Sequence, residues 1–334
     1  MTNFRWGILS NARHAIDAIL PALATVPGHK VVAIAARDAS AAGETAKRFG
    51  ITRVHPTYET LLADPEVDGV YIGLANSLHA EWIRKSIEAG KHVLCEKPIT
   101  LNAAETDGIL SLAAQHGVHV EEALMTWSHP RWHKIRDLLR AGRIGKPTAV
   151  QGRFSFFTRD PANIRNQAAL GGGALLDLGM YLVSSARFLL ETEPTRASAL
   201  IELDPDFGTD RLCSFLLDFP NGQGSFVCSN QMGYAQRMVI YGTHGHIEID
   251  TPWTPAASAP SRYIVNSAAG DNAPLIEEIV TVPAVDQYAR QMEAFAETVA
   301  GSRTPAVPFE SSIANMRVLD AIRAAGLSGT WQNI

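Results

Sequence analysis

Between residue 4 and about residue 122, short unbroken apolar runs alternate with stretches rich in Ala, Glu and Lys. The runs fall at 6–9, 31–36, 69–72, 92–95 and 118–121, and the intervening stretches at 39–49, 79–89 and 103–116 have helical composition. Strands that are apolar on both faces belong in a parallel sheet covered by helices on each side. Right-handed crossovers make such a sheet doubly wound, with its ligand beyond the carboxyl ends of the strands. After Pro130 the pattern changes. A helix is expected at 132–141, a strand at 148–157, and a helix from Gly171-Gly172-Gly173 to about 190. Strand patterns at 196–203, 211–219, 224–230, 237–241 and 246–250 then follow without intervening helices. Pro220-Asn221-Gly222 and the Gly-rich run 242–245 are turn residues of the kind hairpins require. Two helices, 288–299 and 311–325, close the chain and are candidates for packing back against the first domain. The expected architecture is α/β plus α+β. A doubly wound parallel Rossmann domain occupies 1–122, and 123–334 forms a substrate-binding and oligomerisation domain on a mainly antiparallel, open-faced sheet.

Composition agrees with two globular domains: 334 residues, 46% hydrophobic, 7% aromatic. Lys and Arg number 29 against 34 Asp and Glu, with no basic run, which argues against nucleic acid or an anionic membrane as the partner. No window of about 18 uninterrupted apolar residues marks a membrane helix. Only residues 1–3 precede the first strand, so no secretory signal is expected and the reading is cytoplasmic. Cys95, Cys213 and Cys228 are too few and scattered for a disulfide framework or a zinc site.

A dinucleotide fold usually carries Gly-x-Gly-x-x-Gly after its first strand, because the backbone approaches the pyrophosphate closely. Here the stretch reads Ser10-Asn11-Ala12-Arg13-His14-Ala15, small at each glycine position, and the following helix offers its amides to an anion. About 25 residues on, at the end of the second strand, stands Ala35-Ala36-Arg37-Asp38. Arg37 suits the 2′-phosphate of NADP, and Asp38 keeps NAD open.

The run 92–98, His-Val-Leu-Cys-Glu-Lys-Pro, ends a buried strand with Glu96, Lys97 and Pro98, so Lys97 points to the ligand crevice; a strand end reaching solvent is the other reading of the tripeptide alone. Together with 70–79 (VYIGLANSLH), Glu122-Ala123-Leu124-Met125, His129-Pro130, Asn163-Ile164-Arg165, the run 171–181 (GGGALLDLGMY) and Tyr288-x-x-Gln291-x-x-Ala294-Phe295, it resembles the glucose–fructose oxidoreductase/inositol dehydrogenase (Gfo/Idh/MocA) family. The likeness covers nearly the whole chain. The Arg37 tip and Met125-Thr126 are closest to the NADP-dependent dihydrodiol and xylose dehydrogenase-like branch. Ser10 replaces the usual first glycine, Ala75 a common proline, and Trp127 a frequent arginine.

The resemblance implies cofactor contacts from Ser10, Asn11, Ala12, Arg13, Arg37, Leu74, Asn76, His79, Glu96, Lys97 and Arg165. From the residues alone, helix capping also accounts for Asn76 and His79. Oxidising a secondary alcohol requires a base for the hydroxyl proton and a donor that holds the developing alkoxide. Asp177 and Tyr181 are four apart in a helical stretch and share one face. The resemblance implies that Tyr181, a position where members carry Tyr or His, lies beside Lys97; a tyrosine titrating near 10 becomes a competent base beside an ammonium, so Tyr181 as proton acceptor with Lys97 polarising is coherent. The reverse assignment stays open. Asn163, Asp177, Tyr181 and Trp253 are the expected substrate contacts, with Trp253 as an apolar wall; a core tryptophan accounts for Trp253 equally well, a turn-capping carboxylate is the other reading of Asp177, and a core aromatic that of Tyr181. His129 and His133 have helical metal spacing but no third ligand nearby, and hydride transfer to a nicotinamide needs no metal. The expected function is hydride exchange between NADP(H) and a hydroxyl or ketone of a sugar, cyclic polyol or trans-dihydrodiol, by a homodimer or homotetramer paired through the second-domain sheet. The alternative is a non-catalytic dinucleotide-binding regulator on the same scaffold.

Overall fold

The computed structural model describes residues 3–270 and 273–334. They divide into two compact units: Met1–Ser128 with Asp286–Ile313, and His129–Val285 with Ala314–Ile334.

The first unit holds six strands, β1 (Phe4–Leu9), β2 (His29–Ala35), β3 (Arg53–His55), β4 (Gly69–Ile72), β5 (His92–Glu96) and β6 (Val120–Ala123). They form one parallel sheet in the order β3-β2-β1-β4-β5-β6, which reverses direction at β1/β4 as a doubly wound Rossmann sheet does. Every residue of β4 is buried, as expected for a strand covered on both faces. Trp6, Ile8 and Leu94 share their core with Met292, Phe295 and Ala296 of the helix Gln287–Val299, and the Trp6 and Phe295 rings lie 5.3 Å apart. The last helix, Phe309–Ser328, passes into the second unit, where Asn315 Oδ1 meets Arg187 Nη1 at 3.4 Å.

The second unit holds β7 (Pro147–Phe157), β8 (Arg196–Leu203), β9 (Asp210–Phe219), β10 (Gly222–Ser229), β11 (Gln231–Gly242), β12 (Gly245–Asp250), β13 (Ser261–Ser267), β14 (Ile276–Val282) and β15 (Gln332–Asn333). Their order is β14-β13-β12-β11-β7-β10-β9-β8-β15, antiparallel except where β10 runs parallel to β7. Side chains alternate. Phe215, Leu217, Phe226, Met238 and Ile240 are buried, whereas Arg153, Leu200, Leu216 and Tyr241 project from the other face.

The structure corrects several element boundaries. β3 escaped the hydrophobic pattern because it is three residues long and mostly polar. The helix expected at 103–116 breaks at Asp107-Gly108, where Gly108 takes φ 77°. β13 and β14 lie beyond a stretch interrupted by Pro252, Pro255 and Pro260, which hid the pattern resuming after it. One segment, Ala168–Leu190, is long and apolar enough to cross a membrane, but 89% of its most apolar window is buried inside the fold, so it is a core helix.

Candidate active site

In the first unit the site is built on strand ends. Ser10, buried just beyond β1, donates its hydroxyl to the Gly73 carbonyl (2.6 Å) and accepts the Ala12 amide (2.9 Å). A Cβ on Gly73 would lie 3.2 Å from Ser10 Oγ and 2.8 Å from the Tyr71 ring, so the small residue that this close approach demands stands on the neighbouring strand end. Asn11 Oδ1 accepts from Thr45 Oγ1 at 2.7 Å, tying the turn to the helix Ala39–Phe49. Ala12 and Arg13 are exposed, and Arg13 reaches Asp17 at 3.6 Å.

At the tip of β2, Arg37 is exposed. The neighbouring Asp38 caps the following helix, its Oδ1 accepting the Ala41 amide at 3.0 Å. Tyr58, which sequence reasoning passed over, lies beside this tip. Burial pushes its phenol up, opposed by the Arg37 charge and a hydrogen bond from the Arg37 backbone.

At the end of β5, Glu96 takes the Tyr71 hydroxyl on Oε1 (2.8 Å) and the Lys97 amide on Oε2 (3.3 Å). Burial pushes the Glu96 carboxyl up, but the charge and hydrogen bond of His14, the Lys97 charge and the Tyr71 hydroxyl outweigh it and hold it below the usual range. Lys97 is half-buried, and its bond to Pro98 is cis. His79 is fully buried, with Nδ1 2.8 Å from the Pro98 carbonyl and Nε2 3.2 Å from the Leu74 carbonyl. It sits between the loops after β4 and β5; burial holds its pKa down, so the neutral ring donates its one N–H to one of these two carbonyls. Leu74 and Asn76 are half-buried beside it.

The second unit brings four expected residues into one sequence neighbourhood. Arg165 grips Asp177 with a two-point fork, Nε to Oδ2 at 2.6 Å and Nη2 to Oδ1 at 3.3 Å. Asn163 caps the turn Ile164–Asn166, its Oδ1 accepting the Arg165 amide at 3.1 Å. Asp177 sits in the wide helical turn Leu175–Gly179 that opens the helix Met180–Leu190, and Tyr181 follows it by one turn. The Tyr181 ring lies 5.8 Å from Phe154 and 6.5 Å from Trp253. Trp253 is fully buried, stacked on Phe154 at 4.8 Å, with Nε1 donating to Ser185 Oγ at 2.9 Å. It backs Tyr181 as core.

Residues 6–123 match the oxidoreductase family with an NAD-binding Rossmann fold, and residues 132–248 match the GFO/IDH/MocA C-terminal domain. The chain is 36% identical to D-xylose 1-dehydrogenase (NADP(+)) 2 of Haloferax volcanii, covering 97% of this chain and 98% of the relative. The chain belongs to the Gfo/Idh/MocA oxidoreductase family. It is also 35% identical to mouse trans-1,2-dihydrobenzene-1,2-diol dehydrogenase over 78% of each chain. Among solved structures, a 3-ketoreductase of Actinomadura kijaniata in complex with NADP and TDP-benzene superposes with a TM-score of 0.90 at 29% identity, covering 97% of this chain and 98% of that one.

As a Gfo/Idh/MocA member the chain is an NAD(P)-dependent oxidoreductase, and its strand ends fit that cofactor chemically. The exposed turn at Ala12 and Arg13 leaves backbone accessible for a pyrophosphate, and Arg37 presents a cation at the β2 tip. Trp127, where a Gfo/Idh/MocA arginine is frequent, is buried and supplies no charge.

Proposed function

We propose that this protein is an NADP-preferring dehydrogenase or reductase that exchanges a hydride with a carbon-bound hydroxyl or ketone of a sugar, a cyclic polyol or a trans-dihydrodiol. The observation that carries the reading is Asp177, held by Arg165 one helical turn ahead of Tyr181: an oriented carboxylate next to a phenol suits a hydroxyl-bearing substrate. The likeness to enzymes named for D-xylose and for a trans-dihydrodiol supports the same substrate class. NADP is favoured over NAD because Arg37 is exposed while Asp38 already serves the Ala41 amide.

The nicotinamide, when bound, accepts or gives the hydride. Tyr181 takes the hydroxyl proton, and Lys97 orients and polarises the same oxygen, or the two exchange those duties. Asp177 accepts a hydrogen bond from a neighbouring hydroxyl, and Arg165 fixes the carboxylate's direction. Asn163 holds the loop that carries Arg165. Ser10, Asn11, Ala12 and Arg13 form the phosphate turn, Leu74, Asn76 and Glu96 line the nicotinamide side, and His79 braces it. Two copies pair through the exposed sheet face of the second unit. The setting is a reducing cytoplasm, which suits the free, buried Cys95, Cys213 and Cys228.

A panel assay with NADP(H) tests the assignment. Sugars, cyclic vicinal diols and their ketones should exceed 2-propanol by orders of magnitude in kcat/KM, because a site built for several hydroxyls is left with unpaired polar groups by a mono-alcohol. Equal efficiency on mono-alcohols would sink the polyol assignment. NADP binding without turnover of any member would favour the non-catalytic regulator.

A further inference from the structure

His14 occupies the fifth position of the turn 10–15, where the usual fingerprint asks for no particular side chain. Its Nε2 lies 3.4 Å from Glu96 Oε1, the oxygen that also accepts the Tyr71 hydroxyl at 2.8 Å. The other Glu96 oxygen accepts the Lys97 amide at 3.3 Å. One carboxylate therefore joins the turn after β1, the end of β4 and the lysine-bearing end of β5. The Glu96 side chain is 16% exposed and that of His14 43%, so the imidazole covers the carboxylate from the solvent side. The Tyr288 ring meets His14 edge-on at 5.3 Å and limits its movement.

We propose that His14 is a positioning residue for the dinucleotide: as an imidazolium held by Glu96 it locks the phosphate turn to the end of β5, and cofactor binding draws a proton onto it. The charges around it are of both signs, with a carboxylate as its direct partner. Glu96 on β5 is the direct partner, and Asp286 adds negative charge near Tyr288. Lys97 opposes them but is drawn to the same carboxylate, and Arg13 on the same helix is turned toward Asp17. Tyr71 and Tyr288 are both held neutral, first by burial and then by the Glu96 charge, so neither competes as an anion. A carboxylate 3.4 Å from Nε2 favours the charged form of the imidazole, and an anion against the same turn favours it further. The affinity supplied by the charged form is complete below the pKa in the free protein. It is lost as pH rises through the higher pKa of the complex.

Two measurements test this. NMR titration of the His14 ring protons in the cofactor-free protein should give a lower pKa in Glu96→Gln than in the parent; an unchanged value would remove the pair from the argument. NADPH dissociation constants, read by nucleotide fluorescence between about pH 6 and about pH 9, should rise with pH by roughly tenfold for each unit by which binding shifts the histidine. His14→Gln, which keeps a hydrogen bond to Glu96 without the charge, should lose that added dependence. His14→Lys, charged throughout the range, should restore tight binding at the alkaline end. The 2′-phosphate titrates alike in all three proteins, so the difference between them carries the result. The same pH dependence in His14→Gln as in the parent, or no recovery in His14→Lys, would overturn the proposal.

Discussion

Arg37 stands exposed at the tip of β2 while the carboxylate beside it caps a helix, so a single substitution can reverse the charge offered to the adenosine ribose. Arg37→Asp should weaken NADP binding by about two orders of magnitude, since a charge-assisted contact worth roughly 1.5–3 kcal/mol is lost and repulsion added. NAD should be affected far less; titrating both cofactors checks this, and an unchanged NADP/NAD preference would clear Arg37 of the role. For the chemistry, Lys97→Met and Tyr181→Phe should each cost about 10²–10⁴ in turnover, with cofactor affinity held in Tyr181→Phe. If they serve one proton transfer, the double variant loses much less than the product of the two. Near-parental turnover in Tyr181→Phe would mean that the proton leaves by another route. Arg37 and Lys97 could be singled out in the sequence because each ends a strand, and Asp177 and Tyr181 because they share a helical face within a stretch that resembles the family's. His14, Tyr58 and the bracing role of His79 were not, because their partners Glu96, Arg37 and Pro98 lie 82, 21 and 19 residues away and meet them only through the fold.

The turn Leu175–Gly179 depends on a residue from another element. Asp210, at the start of β9, accepts the Leu175 amide on Oδ2 at 2.6 Å and also caps Ala174. A Cβ on Gly173 would fall on its Oδ1, and Gly173 takes φ 119°, so only glycine leaves room for the carboxylate there. The Gly-Gly-Gly lead-in was visible in the sequence; Asp210, which makes its third glycine necessary, was not. Burial raises the Asp210 carboxyl to about 6, against the opposing pull of the Leu175 and Ala174 amides. An unfolded aspartate titrates near 3.9, so between about pH 4 and about pH 6 the folded state binds the extra proton. Stability from this group is therefore complete at the acid end and is lost as pH rises to about 6, by about 3 kcal/mol. Asp210→Asn should lack that decline. Urea unfolding of both proteins across this window checks it, and parallel stability curves would show that Asp210 ionises normally. Strand and helix identities were otherwise readable wherever a run was long and periodic. Short polar β3 was not, because pairing with a neighbour defines it more than its own pattern does; β13 and β14 were not, because the proline-interrupted stretch hides where their pattern resumes.

A sheet with helices on one side leaves the fate of its other side to the whole molecule. In the second unit that side carries Leu200 at 78% exposure and Leu216 at 47%, around a hollow of about 750 Å³ that Gln151, Arg153, Val227 and Val239 also line. Exposed apolar area gathered around one hollow is the kind of surface that pairing would cover. A two-fold axis sets one patch against itself, so the patch must be compatible with its own copy: apolar at the centre, with both charge signs close by. Leu200, Leu216 and Val227 meet the first condition, and Arg237 with its cross-strand partner Glu248 meets the second. A stable dimer needs about 800 Å² from each partner, well within the reach of a face several strands wide. The prediction is a dimer, or a tetramer built from such dimers, in light scattering at micromolar concentration. Leu200→Asp combined with Leu216→Asp sets like charges against one another across the axis and should give monomers. Neither residue belongs to the Arg165–Asp177–Tyr181 neighbourhood, so NADPH binding should survive. A parent protein that is monomeric, or a double variant that keeps the parent's mass, would remove this face as the site of assembly.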